Sequence, residues 1–193
     1  MSLSSEVDGR RRRGQDNRAR IVAAMLEIIR EGVMTPNAEQ VAARAEVGLR
    51  TVFRHFDDMD SLYREMTVAI EAEFRALMGR PFQATEWQDQ LVELVGRRSE
   101  VFERIMPFRR ASDIVRHRSK FLADDHARLA TTLRELLKGV LPHRMVADAS
   151  KLEVFDLLTS YEAWSRLRLE QGLSLDDARR TLQLAVSRLA TSD

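Results

Sequence analysis

Residues 37–56 read NAEQVAARAEVGLRTVFRHF, and the way this stretch folds governs everything around it. Asn37 followed three residues on by Gln40 is a capping-box pattern, which opens a short helix through Val41 and Ala42 to about Ala45. Glu46, Val47 and Gly48 form a turn, and a second short helix runs from about Leu49 to Phe56. Val41, Ala45, Val47, Val52 and Phe56 can pack together as the hidden side of this pair, leaving Leu49, Arg50, Thr51, Phe53, Arg54 and His55 outward. Two short helices at a tight turn are what the major groove of duplex DNA requires: the first braces the second, and the second offers its N-terminal residues to base edges. A helical hairpin inside a larger bundle has the same spacing, so spacing alone leaves both readings open.

Outward from this core, Ile21, Ala24, Met25 and Ile28 fall at helical spacing and predict a helix from about Arg18 to Glu31, ended by Gly32 in a left-handed cap. The first seventeen residues, with the run Arg10 to Arg13, have no apolar periodicity and are expected as a flexible basic arm. On the other side, Asp58 caps a longer helix ending near Gly79 and Pro81. Thr85 and Gln88 supply another capping pair, and the next helix, marked by Leu91, Leu94, Val95, Phe102 and Ile105, is expected to stop at Pro107. A basic stretch follows, Arg109, Arg110, Arg116, His117, Arg118 and Lys120, which reads first as a solvated helix surface. Leu122, Leu129, Leu133, Leu136 and Val140 form a stripe that closes at Gly139 to Pro142. One long helix from about Met145 to Gln171 and a last one capped by Ser174 and Asp177 complete the chain. Hairpin dipeptides and β-type alternation are missing. The fold class is all-α, with about nine helices.

Composition narrows the function. The chain has 193 residues, enough for a sizeable core, and Lys+Arg 31 against Asp+Glu 30 nearly cancel, so any attraction to nucleic acid must be local. Cysteine is absent, which removes disulfides, thiolate metal sites and a cysteine nucleophile and is compatible with a reducing cytoplasm, the expected location. His55, His117, His126 and His143 show no metalloprotease spacing, and there is no Gly-rich phosphate loop or nucleophile elbow. Asp113 with His117, or Asp124, Asp125 and His126, could hold a metal, but solvated helices carry such pairs routinely. No catalytic residue, metal or cofactor is expected, and the chain reads as a non-enzyme.

Thr51-Val52-Phe53-Arg54-His55-Phe56 resembles the end of the recognition helix in the TetR/AcrR family of transcriptional regulators: threonine, an apolar residue, tyrosine, any residue, histidine, phenylalanine. The resemblance runs motif by motif from residue 18 to about 65 and continues beyond only in helix count, total length and the paired terminal helices. It implies a three-helix DNA-binding domain over 18–63 after the arm of 1–17, and a ligand-binding and dimerisation domain over 64–193. It also implies a homodimeric repressor on a palindromic operator, released by a small-molecule effector. In such a dimer the recognition helices should lie about 34–36 Å apart.

Residue roles follow from chemistry and from that resemblance. Arg50, and after it Arg54, can reach guanine O6 and N7, Leu49 can meet a thymine methyl, and Thr51 or His55 can donate to phosphate. Asn37, Gly48 and Phe53 complete the DNA-facing set, and Arg10, Arg11, Arg12, Arg13 and Arg18, with Arg20, are the cations available to the backbone. For the ligand the resemblance points to Trp87, Phe102, Met106, His117, Phe121, His126, Tyr161 and Trp164. For the dimer it points to Leu157, Tyr161, Trp164, Arg168, Leu175, Ala178, Leu182, Ala185 and Leu189.

Four departures thin the phosphate grip. Glu46 stands where the family has the turn glycine, at about 1–2 kcal/mol for a left-handed non-glycine residue. Gly48 replaces the serine or threonine cap, Phe53 replaces tyrosine and Met59 replaces lysine. An alternative therefore stands beside the repressor: a TetR-like helical protein with weakened or lost DNA binding that serves as a ligand-binding or scaffold protein. A metal-dependent enzyme is the more remote rival.

Overall fold

The computed structural model of the chain describes the backbone of residues 3–191 and the side chains of residues 14–191 apart from those of Glu73 and Lys120. It is all-helical, with no strand among the described residues. Ten α-helices follow one another: α1 (Leu3–Arg30), α2 (Ala38–Arg44), α3 (Leu49–His55), α4 (Met59–Met78), α5 (Trp87–Val115), α6 (Lys120–Lys138), α7 (His143–Ala147), α8 (Ala149–Leu158), α9 (Tyr161–Ser165) and α10 (Leu175–Thr191). A 3₁₀ turn at Arg116–Arg118 and a π-helical turn at Arg166–Glu170 complete them. No helix among the described residues is long and apolar enough to cross a membrane.

Two compact units divide the chain, residues 1–72 with 107–123, and residues 73–106 with 124–193. In the first, Ile21, Met25 and Ile29 of α1 are buried with Val41, Val52, Phe56, Leu62 and Met66, and Phe108, Ala111 and Leu122 join the same core. Residues 107–123 thus pack in one compact unit with residues 1–72. Arg30 stacks on Phe108 at 5.2 Å and Arg64 on Phe121 at 4.8 Å, while the Ser119 hydroxyl donates to the Asp60 carboxylate. In the second unit, Phe102, Phe155, Trp164, Leu91 and Leu94 are fully buried, and α10 lies against α8.

Several boundaries differ from the sequence reading, each for a local reason. The expected arm is, from Leu3 onward, the first part of α1; arginine is a good helix former, so an anchored helix extends through Arg10 to Arg13 without needing an apolar face. Helix α5 begins at Trp87 rather than at Thr85, its first turn tied by Gln90 Nε2 to the Ala84 carbonyl at 3.0 Å. It also runs through Pro107 to Val115; the missing N–H and the ring clash at Pro107 are tolerated inside the helix, although the division between units falls at this residue. The single helix expected over 145–171 is broken twice. Asp148 caps α8 by accepting from Lys151 N at 3.0 Å. At the second break Thr159 Oγ1 donates to the Phe155 carbonyl at 2.8 Å, and Ser160 Oγ accepts from Ala163 N at 3.1 Å, hydroxyls drawing the backbone out of its helical ladder.

Candidate nucleic-acid interface

The capping box forms as read: Gln40 N donates to Asn37 Oδ1 at 2.8 Å and Asn37 N donates to Gln40 Oε1 at 2.9 Å. Helix α2 then closes with Glu46 N on the Ala43 carbonyl (3.2 Å) and Val47 N on the Ala42 carbonyl (3.0 Å), the two bonds of a Schellman motif. Glu46 carries φ +51, the only left-handed non-glycine residue among those described. The glutamate therefore leaves the turn geometry intact. Arg20 braces it, donating to the Ala45 carbonyl at 2.6 Å and meeting the Glu46 carboxylate at 3.4 Å.

Helix α3 presents the expected outward face. Only Val52 is buried along it, at 1% exposure, followed by Phe56 at its end. Phe53 is 50% exposed and Leu49 38%; Arg50 and Arg54 are exposed, and Thr51 and His55 are half-buried. Gly48 caps the helix from extended backbone with no side-chain hydrogen bond, so its first amides keep their donors for another acceptor. Asn37 is exposed at the start of α2 with its Oδ1 already used by the cap.

Arg18 is differently placed from a free phosphate ligand. Its Nη1 donates to the His55 carbonyl at 2.7 Å, its Nη2 pairs with Glu65 at 2.9 Å, and its guanidinium lies 4.5 Å over the Phe56 ring. It caps the C-terminus of α3, where a cation is favoured by the helix dipole, and ties α3 to α1 and α4. The side chains of Arg10 to Arg13 lie outside the described residues. Asp58 accepts from Ser61 N at 2.8 Å and starts α4, and Met59, in the family's lysine position, is half-buried against the core.

No family model and no curated protein matches the sequence. Solved structures do match in shape. One is from Rhodococcus sp. and is described as a TetR-family transcriptional regulator, at TM-score 0.70 and 18% identity over 92% of this chain and 100% of that one. The multidrug binding protein EbrR complexed with imidazole aligns at TM-score 0.64 and 18% identity, covering 89% and 88%. A TetR transcriptional regulator from Rhodococcus sp. RHA1 aligns at 0.60 and 18% over 92% and 97%. The chain has the TetR fold.

Within that TetR fold the residues expected to line a ligand pocket are scattered. His117 and Phe121 belong to the first unit and the other six to the second. Phe102 and Tyr161 are core, their rings edge-on at 5.7 Å. Trp164 is fully buried, its Nε1 donating to Glu103 at 2.9 Å, and Arg168 grips the same carboxylate at 2.8 Å. Met106 is also buried, while Trp87 and His126 are half-buried and His117 is exposed. Two cavities in the second unit are lined by other residues altogether.

The residues expected at a dimer seam are dispersed too. Tyr161, Trp164, Ala178 and Leu182 are spent on the chain's own core, and Arg168 on Glu103. Leu175, Ala185 and Leu189 are half-buried. Of the residues expected there, Leu157 alone is exposed, at 63%; the other large apolar residues exposed on α8 and α10 are Val154 and Leu184. A stripe at helical spacing marks the buried face of a helix, so exposed apolar residues beside it carry no such signal in sequence.

Arg98 was also missed. It is buried in the second unit, donating to the Thr159 carbonyl at 2.7 Å, to Thr159 Oγ1 at 2.6 Å and to the Leu133 carbonyl, and burial pushes its pKa down to about 10. It stays charged at neutral pH, held by the carbonyls of Thr159, at the break between α8 and α9, and of Leu133 in α6. Nothing in the sequence around residue 98 distinguishes it from a surface arginine.

Proposed function

We propose that this protein is a DNA-binding transcriptional regulator that sits on a two-fold symmetric operator as a homodimer, represses by occupancy and is released by a small-molecule effector. The observation that carries the reading is α3 itself: a short helix anchored by one buried residue, braced at its end by Arg18, with Leu49, Arg50, Phe53 and Arg54 left to solvent. Such a face has the size and chemistry of a major-groove reader, with Arg50 and Arg54 for guanine edges and Leu49 and Phe53 for thymine methyls. The dimer forms through Val154, Leu157 and Leu184, whose exposure in a single chain is that of surface awaiting a partner. The effector reading draws on EbrR, which is described as a multidrug binding protein.

Phosphate contacts fall to the Gly48 end of α3, to Thr51 and Asn37, and to Arg10 to Arg13, because Arg18 and Arg20 are engaged within the domain. Fluorescence anisotropy with duplex selected from a random pool is the test: a symmetric site bound by a dimer is expected. If the selection enriches no sequence, or the chain is monomeric, the alternative of a TetR-fold protein without operator binding takes its place. Deleting residues 1–17 should lower affinity and flatten its salt dependence; an unchanged salt slope removes the arginine run from the interface.

A further inference from the structure

A cleft of about 480 Å³ in the second unit, between the end of α4, the linker after it, α5 and α10, answers to none of the roles above. Its walls carry three arginines, Arg80, Arg97 and Arg179, against two carboxylates, Glu93 and Glu100. Two of these charges satisfy each other. Arg97 Nη2 meets Glu93 Oε1 at 2.6 Å, and the same guanidinium donates to the Arg80 carbonyl and, at 2.5 Å, to that of Pro81, with Phe82 stacked on it at 4.2 Å. Glu93 in turn accepts from Gln83 N at 2.9 Å and Ala84 N at 3.3 Å. Arg97, then these amides, hold the Glu93 carboxyl below its usual range. This pair is a clamp on the linker.

Arg179 has no such partner. Its Nε is buried and meets no acceptor among the described residues, and the Asp176 carboxylate that its Nη1 faces is exposed and 3.9 Å away, beyond hydrogen-bond reach. Buried donors are normally satisfied, which marks Arg179 as an under-partnered guanidinium, and the partly exposed remainder of its side chain lines the cleft. The two Nη groups of a guanidinium form a planar two-donor fork that fits a carboxylate. Three lining arginines against two lining glutamates leave the cleft with one net positive charge. A monoanion neutralises it, whereas a phosphate dianion would add repulsion from the two glutamates. Leu77 and Pro81 give the cleft apolar wall, and its volume lies within the roughly 300–1,000 Å³ of small-molecule sites.

We propose that this cleft binds a small organic monocarboxylate, with Arg179 taking the carboxylate and Leu77 and Pro81 the apolar body. Binding stands independently of the DNA reading. Only the regulatory consequence rests on it: the ligand touches Leu77 at the end of α4 and the clamp at Arg80 and Pro81, and α4 is the helix that begins at Met59 just after the recognition helix.

The test uses the full chain, with benzoate as the probe and benzamide as its uncharged counterpart, followed by isothermal titration. Benzoate should bind and benzamide should bind about tenfold more weakly or worse; Arg179→Gln should lose about tenfold in benzoate affinity, and Arg179→Lys should fall between. No benzoate binding, equal binding of benzoate and benzamide, or an unaltered affinity in a folded Arg179→Gln variant overturns the site. The acid-to-amide comparison in the unaltered chain decides even if that variant fails to fold. Duplex affinity measured with and without benzoate separates the two readings: benzoate binding without any duplex binding leaves the cleft and removes the operator, and duplex binding without benzoate binding does the reverse.

Discussion

Helices α3 and α9 are both short, seven and five residues, and both place an aromatic residue near their middle or end. Phe53 of α3 stands half in solvent, while Trp164 of α9 is wholly enclosed with its indole N–H on Glu103. The difference lies in which neighbours share the inward stripe. In α3 the inward positions are Val52 and Phe56, four apart, and Phe53 lies beside that stripe. In α9 Tyr161 and Trp164 are themselves the stripe, three apart, and Arg168 extends it one turn on. An aromatic side chain stays available to a partner when other residues already anchor its helix.

The sharpest way to break this contrast is to truncate both residues. Trp164→Ala should lower unfolding free energy by roughly 3–5 kcal/mol in urea titrations, since it removes a buried ring and one of the donors on Glu103. Phe53→Ala should change stability by no more than about 0.5 kcal/mol, as surface truncations do, yet weaken duplex binding. Equal stability losses would mean that α3 is core. Next in size, Arg50→Ala should weaken the selected duplex by roughly 1–3 kcal/mol and relax one base position; a loss uniform across sequences would move Arg50 to the phosphate backbone. Glu46→Gly is smaller and opposite in sign. It relieves a left-handed glutamate, loses an exposed 3.4 Å contact to Arg20 and adds glycine's unfolded-state entropy, for a net stabilisation of roughly 0.5–1 kcal/mol in the same titrations.

These sizes track what could be read from residues alone. The Asn37 box, the Gly32 cap, the Asp58 and Ser174 caps and the outward set on α3 depend on groups three or four residues apart, so local chemistry specifies them. Glu46 shows the limit of that reading in a favourable direction: the turn keeps its geometry because Arg20, twenty-six residues away in sequence, closes over it. In the second unit the decisive partners are all distant. Trp164 and Arg168 converge on Glu103, and Arg98 finds its carbonyls on Thr159 and Leu133. A buried aromatic and a cavity-lining one look alike in sequence, so residues expected around a pocket, Trp164 among them, stand in the core, while the all-α fold class was legible.

The smallest effect concerns His55, which lies at the junction of both comparisons, at the end of α3 and half-buried. Burial first, then the charges of Arg54 and Arg18, hold its pKa below the ordinary histidine value, and its Nε2 is enclosed without a hydrogen-bond partner among the described residues. The unfolded chain takes up this proton near pH about 6.5 and the folded domain only at lower pH. The contribution to stability is therefore complete above the unfolded value and is lost as pH falls from there through the folded midpoint. An NMR titration of the imidazole Cε1 proton should give a midpoint under 6.5 in the free protein; one at or above that value would mean the ring is more open than its enclosure implies. Repeating the titration on the duplex complex then assigns the residue. A phosphate near the ring favours the imidazolium and raises the midpoint, whereas an unmoved midpoint makes His55 part of the bracket with Arg18 that holds α3, leaving Thr51 and the Gly48 amides to meet the backbone.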